Sequence, residues 1–359
     1  MGKILMKGNE AIGEAAIRAG CLNYFAYPIT PQSEVAEYLS HRLPEIGGVF
    51  LQGESEVAVG YMLFGAAGCG ARVFTTSSSP GVSLMSEAIS YLAGAQLPAV
   101  FVNIMRGGPG LGGILPSQGD YFQATKGGGH GDYHLLVMAP ASVQEAAEMV
   151  MRAFPLAEKY RNPVMILGDG LIGQMMEPVE FPEHLKSKPS NKDAWATNGM
   201  GLRKSSKRNL VKSLFLDAAE LNNNNLVLKE KYTRMKREEI RYEKYNMDSD
   251  YRMFIVSFGT MSRVCRTAID SLKEEGIEVG MIRPQTLFPF PEEAVFAAAS
   301  KSGCTMALSI EMNMGQMVED VERCVHGKCP VEWFGKCGGE VPTPEEIMDV
   351  VKGFLAQSR

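Results

Sequence analysis

The sequence predicts an α/β protein in which helices cover both faces of a parallel β-sheet and a second, smaller α/β domain follows. In the first half of the chain, short apolar runs with strand character alternate with helical patterns, and the connections between them are short. A long polar segment then interrupts this alternation, which resumes at residue 252. The length of 359 residues also suits two domains better than one.

The first domain is predicted to span residues 1–178. Its first helix, "NEAIGEAAIRAG", ends at Gly20, and the strand "NYFAY" follows before "PITPQ" turns the chain into a helix from about Ser33. Further strands are predicted at 49–52, 72–76, 98–105, 134–139 and 163–167, and further helices at 55–69, 82–94 and 142–160. In such a sheet, ligands bind beyond the carboxyl ends of the strands.

Residues 179–250 are predicted to be a connector, because they are polar, contain prolines and include an Asn run at 222–225. The stretch "KEKYTRMKREEIRYEKYN" has helical spacing and interleaved Glu, which favours a solvated amphipathic helix over a nucleic-acid-binding patch. The second domain is predicted to span residues 251–359. Its predicted strands are 252–259, 278–283, 305–311 and 331–334, and its predicted helices are 261–275, 292–302, 316–326 and 344–356.

Composition excludes several classes of function. The net charge of −5 is too small to indicate nucleic-acid or membrane partners, and no apolar run approaches the roughly 18 residues of a membrane span. The N-terminus "MGKILMKGNE" lacks the apolar region of a signal peptide, so a cytoplasmic protein is expected. The seven cysteines show no CxxC pair, and the spacing of Cys324, Cys329 and Cys337 near His326 matches neither zinc nor iron–sulfur rules. We expect no metal site in this chain.

Two carboxylates stand at the start of a helix that follows a short apolar run. Glu54 and Glu56 precede "VAVGYMLFGAAG", whose small and apolar residues are typical of a helix packed on all sides. Acidic residues in a first helical turn interact favourably with the helix macrodipole, which explains one carboxylate easily. A second carboxylate at the head of a buried helix is expected to have a partner.

The most unusual segment is "MRGGPGLGGILPSQGD" at 105–120, in which five of the seven residues after Arg106 are glycine. Glycines let backbone N–H groups approach a ligand closely, and an arginine offers a planar fork to a carboxylate. A 2-oxoacid or a similar anion would fit such a loop. A flexible surface loop with a solvated arginine is an equally good interpretation.

Three other segments carry polar side chains near predicted strand ends. "TTSSSPG" at 75–81 could hold a polar ligand at a helix N-terminus, or could simply cap the helix. "KGGGHGDYH" at 126–134 brings His130 and Asp132, which could move protons, although no nucleophile accompanies them. "GDG" at 168–170 is similar to the start of the motif with which thiamine diphosphate enzymes bind magnesium, but only Asn191 lies where that motif has two asparagines. A magnesium site is therefore not expected in this chain.

Taken together, these segments resemble the α subunit of the 2-oxoacid:ferredoxin oxidoreductases, and most closely the type that acts on branched-chain 2-oxoacids. The resemblance runs along nearly the whole chain and is specific because seven segments occur in order. They are "KGNEAIGEAAIRAGCLNYFAYPITPQSEVAE", "GESEVAVG", "TTSSSPGVSLMSE", "NIMRGGPGLGGILPSQGDYFQATKGGGHGD", "RPQTLFPFP", "EMNMGQM" and "GGEVPTPEEI".

The resemblance implies a pyrimidine-type thiamine diphosphate-binding domain followed by a domain similar to the C-terminal domain of transketolase. In that family the α subunit binds the aminopyrimidine end of the cofactor, while a β subunit binds its diphosphate and the magnesium. Glu56 matches the glutamate that hydrogen-bonds a pyrimidine ring nitrogen, and Glu54 is assigned to helix-end electrostatics. Thr30 matches a hydroxyl near cofactor and substrate, and Arg106 matches the arginine that binds the substrate carboxylate.

The implied reaction is the oxidative decarboxylation of a 2-oxoacid, of which 3-methyl-2-oxobutanoate is the expected one, to acyl-CoA and CO₂ with reduction of ferredoxin. The implied partners are the β subunit, a γ subunit, a ferredoxin-like subunit that carries [4Fe–4S] clusters, and coenzyme A. Alone, the chain should be inactive. Pyruvate or 2-oxoglutarate as the substrate, and a non-catalytic assembly subunit, remain open alternatives.

Overall fold

A computed structural model of the chain describes residues 2–182, 192–199 and 208–357, so Asn191 lies outside the described residues. In residues 2–182 the elements are β1 (Ile4–Lys7), α1 (Gly8–Arg18), β2 (Asn23–Ala26), α2 (Ser33–Glu45), β3 (Val49–Gln52), α3 (Glu56–Gly68), β4 (Phe74–Ser77), α4 (Ser79–Gly94), β5 (Ala99–Met105), α5 (Tyr121–Thr125), β6 (Leu136–Met138), α6 (Val143–Tyr160), β7 (Pro163–Asp169), α7 (Gly170–Gln174) and β8 (Met176–Val179). From residue 208 onward they are α8 (Ala218–Glu238), β9 (Tyr242–Tyr245), β10 (Met253–Val256), α9 (Gly259–Glu274), β11 (Val279–Pro284), β12 (Thr286–Phe288), α10 (Glu292–Ala299), β13 (Met306–Glu311), α11 (Met317–Val325), β14 (Val331–Gly335) and α12 (Pro344–Gln357).

A seven-stranded sheet, which we call the first sheet, has the strand order β12-β6-β7-β5-β4-β2-β3. Neighbouring strands from β2 to β7 pair in parallel, which confirms the predicted parallel α/β architecture. The edge strand β12 differs, because it comes from the second half of the chain and pairs antiparallel with β6. The sequence did not predict β12, since a three-residue strand has no period of its own.

A five-stranded sheet, the second sheet, has the order β14-β13-β10-β11-β9. All strands and helices predicted from residue 252 onward are present, with ends that differ by a few residues. The strand β9 lies in the segment predicted to be a connector and pairs antiparallel with β11 at the sheet edge. Its sequence, "YEKY", alternates half-buried and exposed side chains. The segment is too polar to be recognised as a strand from the sequence.

All helices predicted in the first half are present, with one informative shift, whereas the five-residue helices α5 and α7 were not predicted. The helix expected at 82–94 begins at Ser79, because Pro80 occupies the first turn, where its missing N–H breaks no helical hydrogen bond. The pair β1 and β8 forms a small antiparallel sheet that was not predicted. None of the helices in the described ranges combines the length and the apolar character that crossing a membrane requires.

The helix α3 begins because Ser55 accepts a hydrogen bond from the backbone N–H of Ala58, at 3.2 Å, in the N-cap position. Gly60 faces α4, where a Cβ atom would come within 2.6 Å of the Ala88 Cβ, so the two helices pack closely. One face of α3 stays open, since Val57 and Tyr61 are each 40% exposed. The expectation that α3 is packed on all sides is thus wrong for this chain by itself.

A bidentate ion pair links α6 to the second sheet. Both terminal nitrogens of Arg283 in β11 donate to the carboxylate of Glu145, at 2.8 and 2.7 Å, and the Arg283 side chain is only 5% exposed. Gln285 donates to the same carboxylate at 2.8 Å. Burial is the largest single influence and raises the pKa of Glu145, but the hydrogen bonds and charge of Arg283, with the hydrogen bonds from the Ala141 N–H and Gln285, together hold this pKa below its ordinary value.

The variant Glu145→Gln is therefore expected to lower the free energy of unfolding by about 1.5–3 kcal/mol, because the buried Arg283 loses its bidentate partner and keeps only Glu243 as a counter-ion. A carboxylate with a lowered pKa stabilises the fold above its unfolded-state pKa, so this contribution disappears as the pH falls. Urea unfolding of the full chain at pH 7 measures the change. Glu148→Gln, on an exposed side of the same helix, is the control and should change little. Equal stabilities of both variants would contradict the assignment.

Candidate active site

The predicted site segments meet at one edge of the first sheet. The strands β3, β2, β4 and β5 are consecutive neighbours in this sheet and run in the same direction. Their carboxyl ends therefore face the same edge, which is where ligands bind in open α/β sheets. The four segments that follow these ends are 53–56, 27–32, 78–81 and 106–120.

Glu56 is buried, with 6% of its surface exposed, yet none of the described residues donates a hydrogen bond to its carboxylate. Glu311 shows the usual arrangement for a buried carboxylate. Its two oxygens accept hydrogen bonds from Ser309, Asn313 and the backbone N–H groups at the start of α11. By contrast with Glu311, the Glu56 carboxylate keeps its capacity to accept hydrogen bonds from a group outside the described residues.

Ser77 and Gly81 lie beside the Glu56 carboxylate. The Ser77 hydroxyl is buried and has no hydrogen-bond partner. A Cβ atom on Gly81 would come within 2.2 Å of the Ser77 Oγ and within 2.7 Å of the Glu56 Oε1. Glycine at this position therefore leaves free the space next to the Ser77 and Glu56 side chains.

Thr30 lies in the turn after β2 and is exposed. Its carbonyl oxygen accepts a hydrogen bond from Arg106 Nη1 at 3.0 Å, and the Thr30–Pro31 peptide bond is cis. No hydrogen bond to the Thr30 hydroxyl is formed within the described residues. The structure thus brings Thr30 and Arg106 together, as the prediction of a shared substrate site requires.

Arg106 is 7% exposed, and its guanidinium group forms no ion pair within the described residues. Its Nη2 donates to the carbonyl oxygen of Leu111 at 3.1 Å, while its Nε is buried without a partner. The guanidinium is therefore oriented by backbone carbonyls and keeps its full positive charge. An arginine held in this way can bind an anion that reaches the sheet edge.

Ser79 and Asp120 hold the backbone of Arg106 in place. The Ser79 hydroxyl accepts from the Arg106 N–H at 3.0 Å and donates to the Asp120 carboxylate at 2.6 Å, which also accepts from Asn103. Burial raises the pKa of Asp120 above its ordinary value. Sequence reasoning assigned no role to Asp120, which directly precedes α5 and lies far along the chain from its partner Ser79.

The glycine-rich loop is anchored by the second half of the chain. Gln118 donates to the carbonyl of Phe258 and accepts from the N–H of Met312, at 2.9 and 3.0 Å. Asn313 and Gln316 donate to the carbonyl oxygens of Gln118 and Gly119. The motif "EMNMGQM" thus fixes the end of the loop that begins with Arg106, so the interpretation as a flexible surface loop does not hold at that end.

The remaining sequence candidates have structural roles or lie in exposed positions. The Asp169 carboxylate in "GDG" accepts from Leu171 N, Ile172 N and Thr260 Oγ1 at 2.9–3.2 Å, and burial raises its pKa. His130 and Asp132 are exposed, and the His130 carbonyl accepts from Ser90.

The cysteine-rich stretch near the C-terminus does not gather its side chains around one point. Cys324 and Cys329 are buried, whereas Cys337 is exposed. Among the described residues, no three His, Cys, Asp or Glu side chains are grouped so that they could hold a metal ion.

The fold and the site together define a class of protein before any comparison is made. A largely buried glutamate without a hydrogen-bond donor, an unpaired serine hydroxyl and a glycine-bordered space at the carboxyl edge of a parallel sheet suit one end of a polar heterocycle. The aminopyrimidine of thiamine diphosphate, whose ring nitrogen can pair with a carboxylate, fits this arrangement. The class is that of the thiamine diphosphate-binding α/β domains.

Comparison with known families identifies the chain more narrowly. Residues 14–257 match the family "Pyruvate flavodoxin/ferredoxin oxidoreductase, thiamine diP-bdg", and residues 252–347 match "Pyruvate:ferredoxin oxidoreductase core domain II". The chain belongs to this family and is a subunit of a 2-oxoacid:ferredoxin oxidoreductase. The predicted family and fold are confirmed.

Individual relatives agree with this assignment. The chain is 47% identical to the ketoisovalerate oxidoreductase subunit VorB of Methanothermobacter thermautotrophicus, over 99% of this chain and 98% of the relative. It is 36% identical to the 2-oxoglutarate synthase subunit KorA of the same organism, over 96% of this chain and 97% of the relative.

Solved structures show the same fold. A 2-oxoglutarate:ferredoxin oxidoreductase from Magnetococcus marinus, with 2-oxoglutarate, coenzyme A and succinyl-CoA bound, matches with a TM-score of 0.84 and 26% identity. The match covers 98% of this chain and 65% of that longer chain. A split-gene transketolase matches with a TM-score of 0.58 and 14% identity, over 99% of both chains, which shows similarity of fold alone.

Proposed function

We propose that this chain forms the aminopyrimidine side of the thiamine diphosphate site in a multisubunit oxidoreductase, and that Glu56 is its catalytic carboxylate. The observation that carries this proposal is the burial of Glu56 without any hydrogen-bond donor among the described residues. When bound, thiamine diphosphate supplies a nucleophilic carbon that adds to the substrate carbonyl and then stores the electrons left after CO₂ is lost. Glu56 would hold a proton between its carboxylate and a ring nitrogen, in a charge-assisted hydrogen bond.

Thr30 and Arg106 are proposed to bind the substrate. The Arg106 guanidinium would pair with the carboxylate that every 2-oxoacid carries, and the Thr30 hydroxyl would lie next to cofactor and substrate. Support comes from the hydrogen bond between Arg106 and the Thr30 carbonyl, and from the unpartnered Arg106 Nε. Both residues follow strands that are close to β3, whose end leads to Glu56.

A glycine at position 81 is expected to be necessary for this site. In Gly81→Ala, the added methyl group would push against the Glu56 carboxylate and the Ser77 hydroxyl. Overpacking displaces the neighbouring side chains, and because a small misplacement of a catalytic group lowers a rate strongly, turnover of the assembled complex should fall by about tenfold or more. Gly94→Ala on the same helix is the matched control, because its methyl group would meet only the Ser213 Cβ, at 3.8 Å. Similar turnover of the two variants would argue against the proposed site.

The substrate is proposed to be a branched-chain 2-oxoacid, with 3-methyl-2-oxobutanoate converted to acyl-CoA and CO₂. The relative with 47% identity is named for ketoisovalerate, whereas the one named for 2-oxoglutarate is 36% identical. The composition of the loop after Arg106 also supports a substrate with an apolar side chain. Residues 107–119 contain no Lys or Arg that could pair with a second carboxylate, and Leu111, Ile114 and Leu115 are exposed on it.

Rates with different 2-oxoacids test this proposal most directly. The purified complex should have a higher kcat/KM with 3-methyl-2-oxobutanoate than with pyruvate or 2-oxoglutarate. Apolar pockets discriminate between aliphatic tails by only about 1–3 kcal/mol, so the preference over pyruvate should be about 10–200-fold. A preference for 2-oxoglutarate would overturn the substrate assignment and leave the family unchanged.

The other cofactors and partners are proposed to come from separate chains. A β subunit would hold magnesium and the diphosphate, since Asp169 of "GDG" is engaged within this chain by three hydrogen bonds. The exposed apolar side chains of Val57, Tyr61 and Leu84, on α3 and α4 beside Glu56, offer it a surface. A γ subunit, a ferredoxin-like subunit with [4Fe–4S] clusters and coenzyme A complete the proposal.

Copurification tests this assembly. We expect one partner chain to carry a complete magnesium and diphosphate motif with two asparagines, and another to carry cysteine runs for iron–sulfur clusters. Full turnover by the other chains without this one would instead indicate a non-catalytic assembly subunit.

A further inference from the structure

An open pocket of about 430 Å³ lies between the end of α6 and the helix α8. Its lining residues are Gln96, Lys159, Tyr160, Arg161, Val227, Glu230, Lys231, Thr233, Arg234 and Arg237, and we call it the α6–α8 pocket. Five of these ten residues are basic and one, Glu230, is acidic. The volume is within the range of about 300–1,000 Å³ that is typical of small-molecule sites.

Two of the basic residues already have counter-ions. Lys159 pairs with Glu239 at 2.6 Å and with Glu238 at 3.0 Å. Arg237 pairs with Glu238 at 3.2 Å. These two residues therefore add little net positive charge to the α6–α8 pocket.

Arg161 and Lys231 differ, because neither forms an ion pair with any described residue. The Arg161 guanidinium donates to the Gln96 carbonyl at 3.1 Å and stacks on the Trp195 ring, 4.8 Å from its centroid. The Lys231 ammonium donates to the carbonyl of Arg161 itself at 3.1 Å. Two half-buried cations are thus held next to each other by neutral acceptors, which is an unfavourable arrangement in the absence of an anion.

Arg234 brings a third cationic group to the same wall. Its guanidinium stacks on the Tyr160 ring, 4.7 Å from the centroid, and its Nε lies 3.9 Å from Glu238, which is too long for a hydrogen bond. Two guanidinium groups and an ammonium group therefore border one space. Such groups can donate together to the several oxygens of one phosphate group.

We propose that the α6–α8 pocket binds a phosphate group of a small phosphorylated molecule through Arg161, Lys231 and Arg234. The pocket is separate from the thiamine diphosphate site. Gln96 and Arg161 come just before β5 and β7, whereas Arg106 and Asp169 are at their far ends. A strand of seven residues such as β5 is about 20 Å long, so the two sites lie at opposite edges of the first sheet.

Binding is expected to depend on pH through Lys231. Burial, with repulsion from Arg161 and Arg234, lowers the pKa of Lys231 to about 7. A bound anion favours the charged form, so affinity should fall as the pH rises above 7. The other titratable or charged groups beside Lys231 are Lys159 and Tyr160 at the end of α6, and Glu230, Tyr232 and Arg237 on its own helix.

The test is calorimetric titration of the full-length chain with inorganic pyrophosphate. Saturable binding is expected, and Lys231→Gln and Arg161→Gln should each weaken it by about tenfold or more. Lys229→Gln removes the same charge from an exposed position on α8 and should have little effect. Arg106→Gln, at the other edge of the sheet, should also leave the affinity unchanged.

Another variant and a second anion serve as controls for the titration. Lys231→Arg retains the charge and should still bind pyrophosphate, so it distinguishes loss of the binding site from loss of folding. Thermal unfolding of each variant is a second check that the variant is folded. Sulfate, whose charge is constant from pH 6 to 8.5, should bind more weakly as the pH rises in the wild type, but not in Lys231→Gln. Absence of saturable binding, or binding that Lys229→Gln weakens as much as Lys231→Gln does, would overturn the proposal.

Discussion

Replacing Glu56 with Gln is expected to lower the turnover of the assembled complex by about 10²–10⁴-fold, the usual range for loss of acid–base assistance. Glutamine has nearly the same shape, so the packing around position 56 should be retained. It can still form a hydrogen bond to a ring nitrogen, but it cannot take up or share a proton there. Steady-state rates of 2-oxoacid-dependent ferredoxin reduction, with thiamine diphosphate at saturation, measure the effect.

The neighbouring carboxylate provides a matched control for this variant. Glu54 is exposed and lies two residues before Glu56, so Glu54→Gln removes the same charge from almost the same place. Its turnover should stay close to that of the unchanged complex, since helix-end electrostatics account for only some tenths of a kcal/mol. Gel filtration should show that both variants assemble. Near-normal turnover with Glu56→Gln would remove Glu56 from the mechanism.

Replacing Arg106 with Gln is expected to lower kcat/KM for the 2-oxoacid by about 10–150-fold, which corresponds to the roughly 1.5–3 kcal/mol of a charge-assisted hydrogen bond. The substrate carboxylate leaves as CO₂ during the reaction, so Arg106 can bind it only before decarboxylation, and we expect the effect chiefly in kcat/KM. Arg106→Lys should recover part of the loss, because it restores the charge without the planar fork. Initial rates over a range of substrate concentrations give both constants.

The Arg106→Gln variant needs a control, because Arg106 has structural contacts as well as the proposed role in binding the substrate. Arg106 also holds the carbonyl oxygens of Thr30 and Leu111, so its loss could disturb the whole sheet edge. The affinity of the complex for thiamine diphosphate is the control, since Arg106 is not proposed to contact the cofactor. A variant that loses cofactor affinity as strongly as substrate affinity would show that Arg106 acts through the loop alone.

The sequence was informative where local patterns decide the structure. The helix α3 was predicted at 55–69 from its small and apolar residues, and this placed Glu56 at the start of a helix. The glycines after Arg106 marked an unusual loop at the end of a buried strand. Motifs in order then indicated the family, and the comparisons confirmed it.

The sequence did not predict features that depend on contacts between residues far apart in the chain. The strands β1 and β8 pair across more than 160 residues, and β12 leaves the second half of the chain to complete the first sheet. No local period predicts such pairings. The same holds for Asp120, whose role depends on Ser79 from another strand end, and for Gln118, which contacts Asn313.

A structure of the assembled complex with thiamine diphosphate tests the central claim most directly. The account predicts that a Glu56 carboxylate oxygen lies within hydrogen-bond distance, about 2.6–3.0 Å, of a nitrogen of the pyrimidine ring. The diphosphate end should contact another chain. A pyrimidine ring that pairs with a different side chain while the Glu56 carboxylate faces solvent would contradict the account.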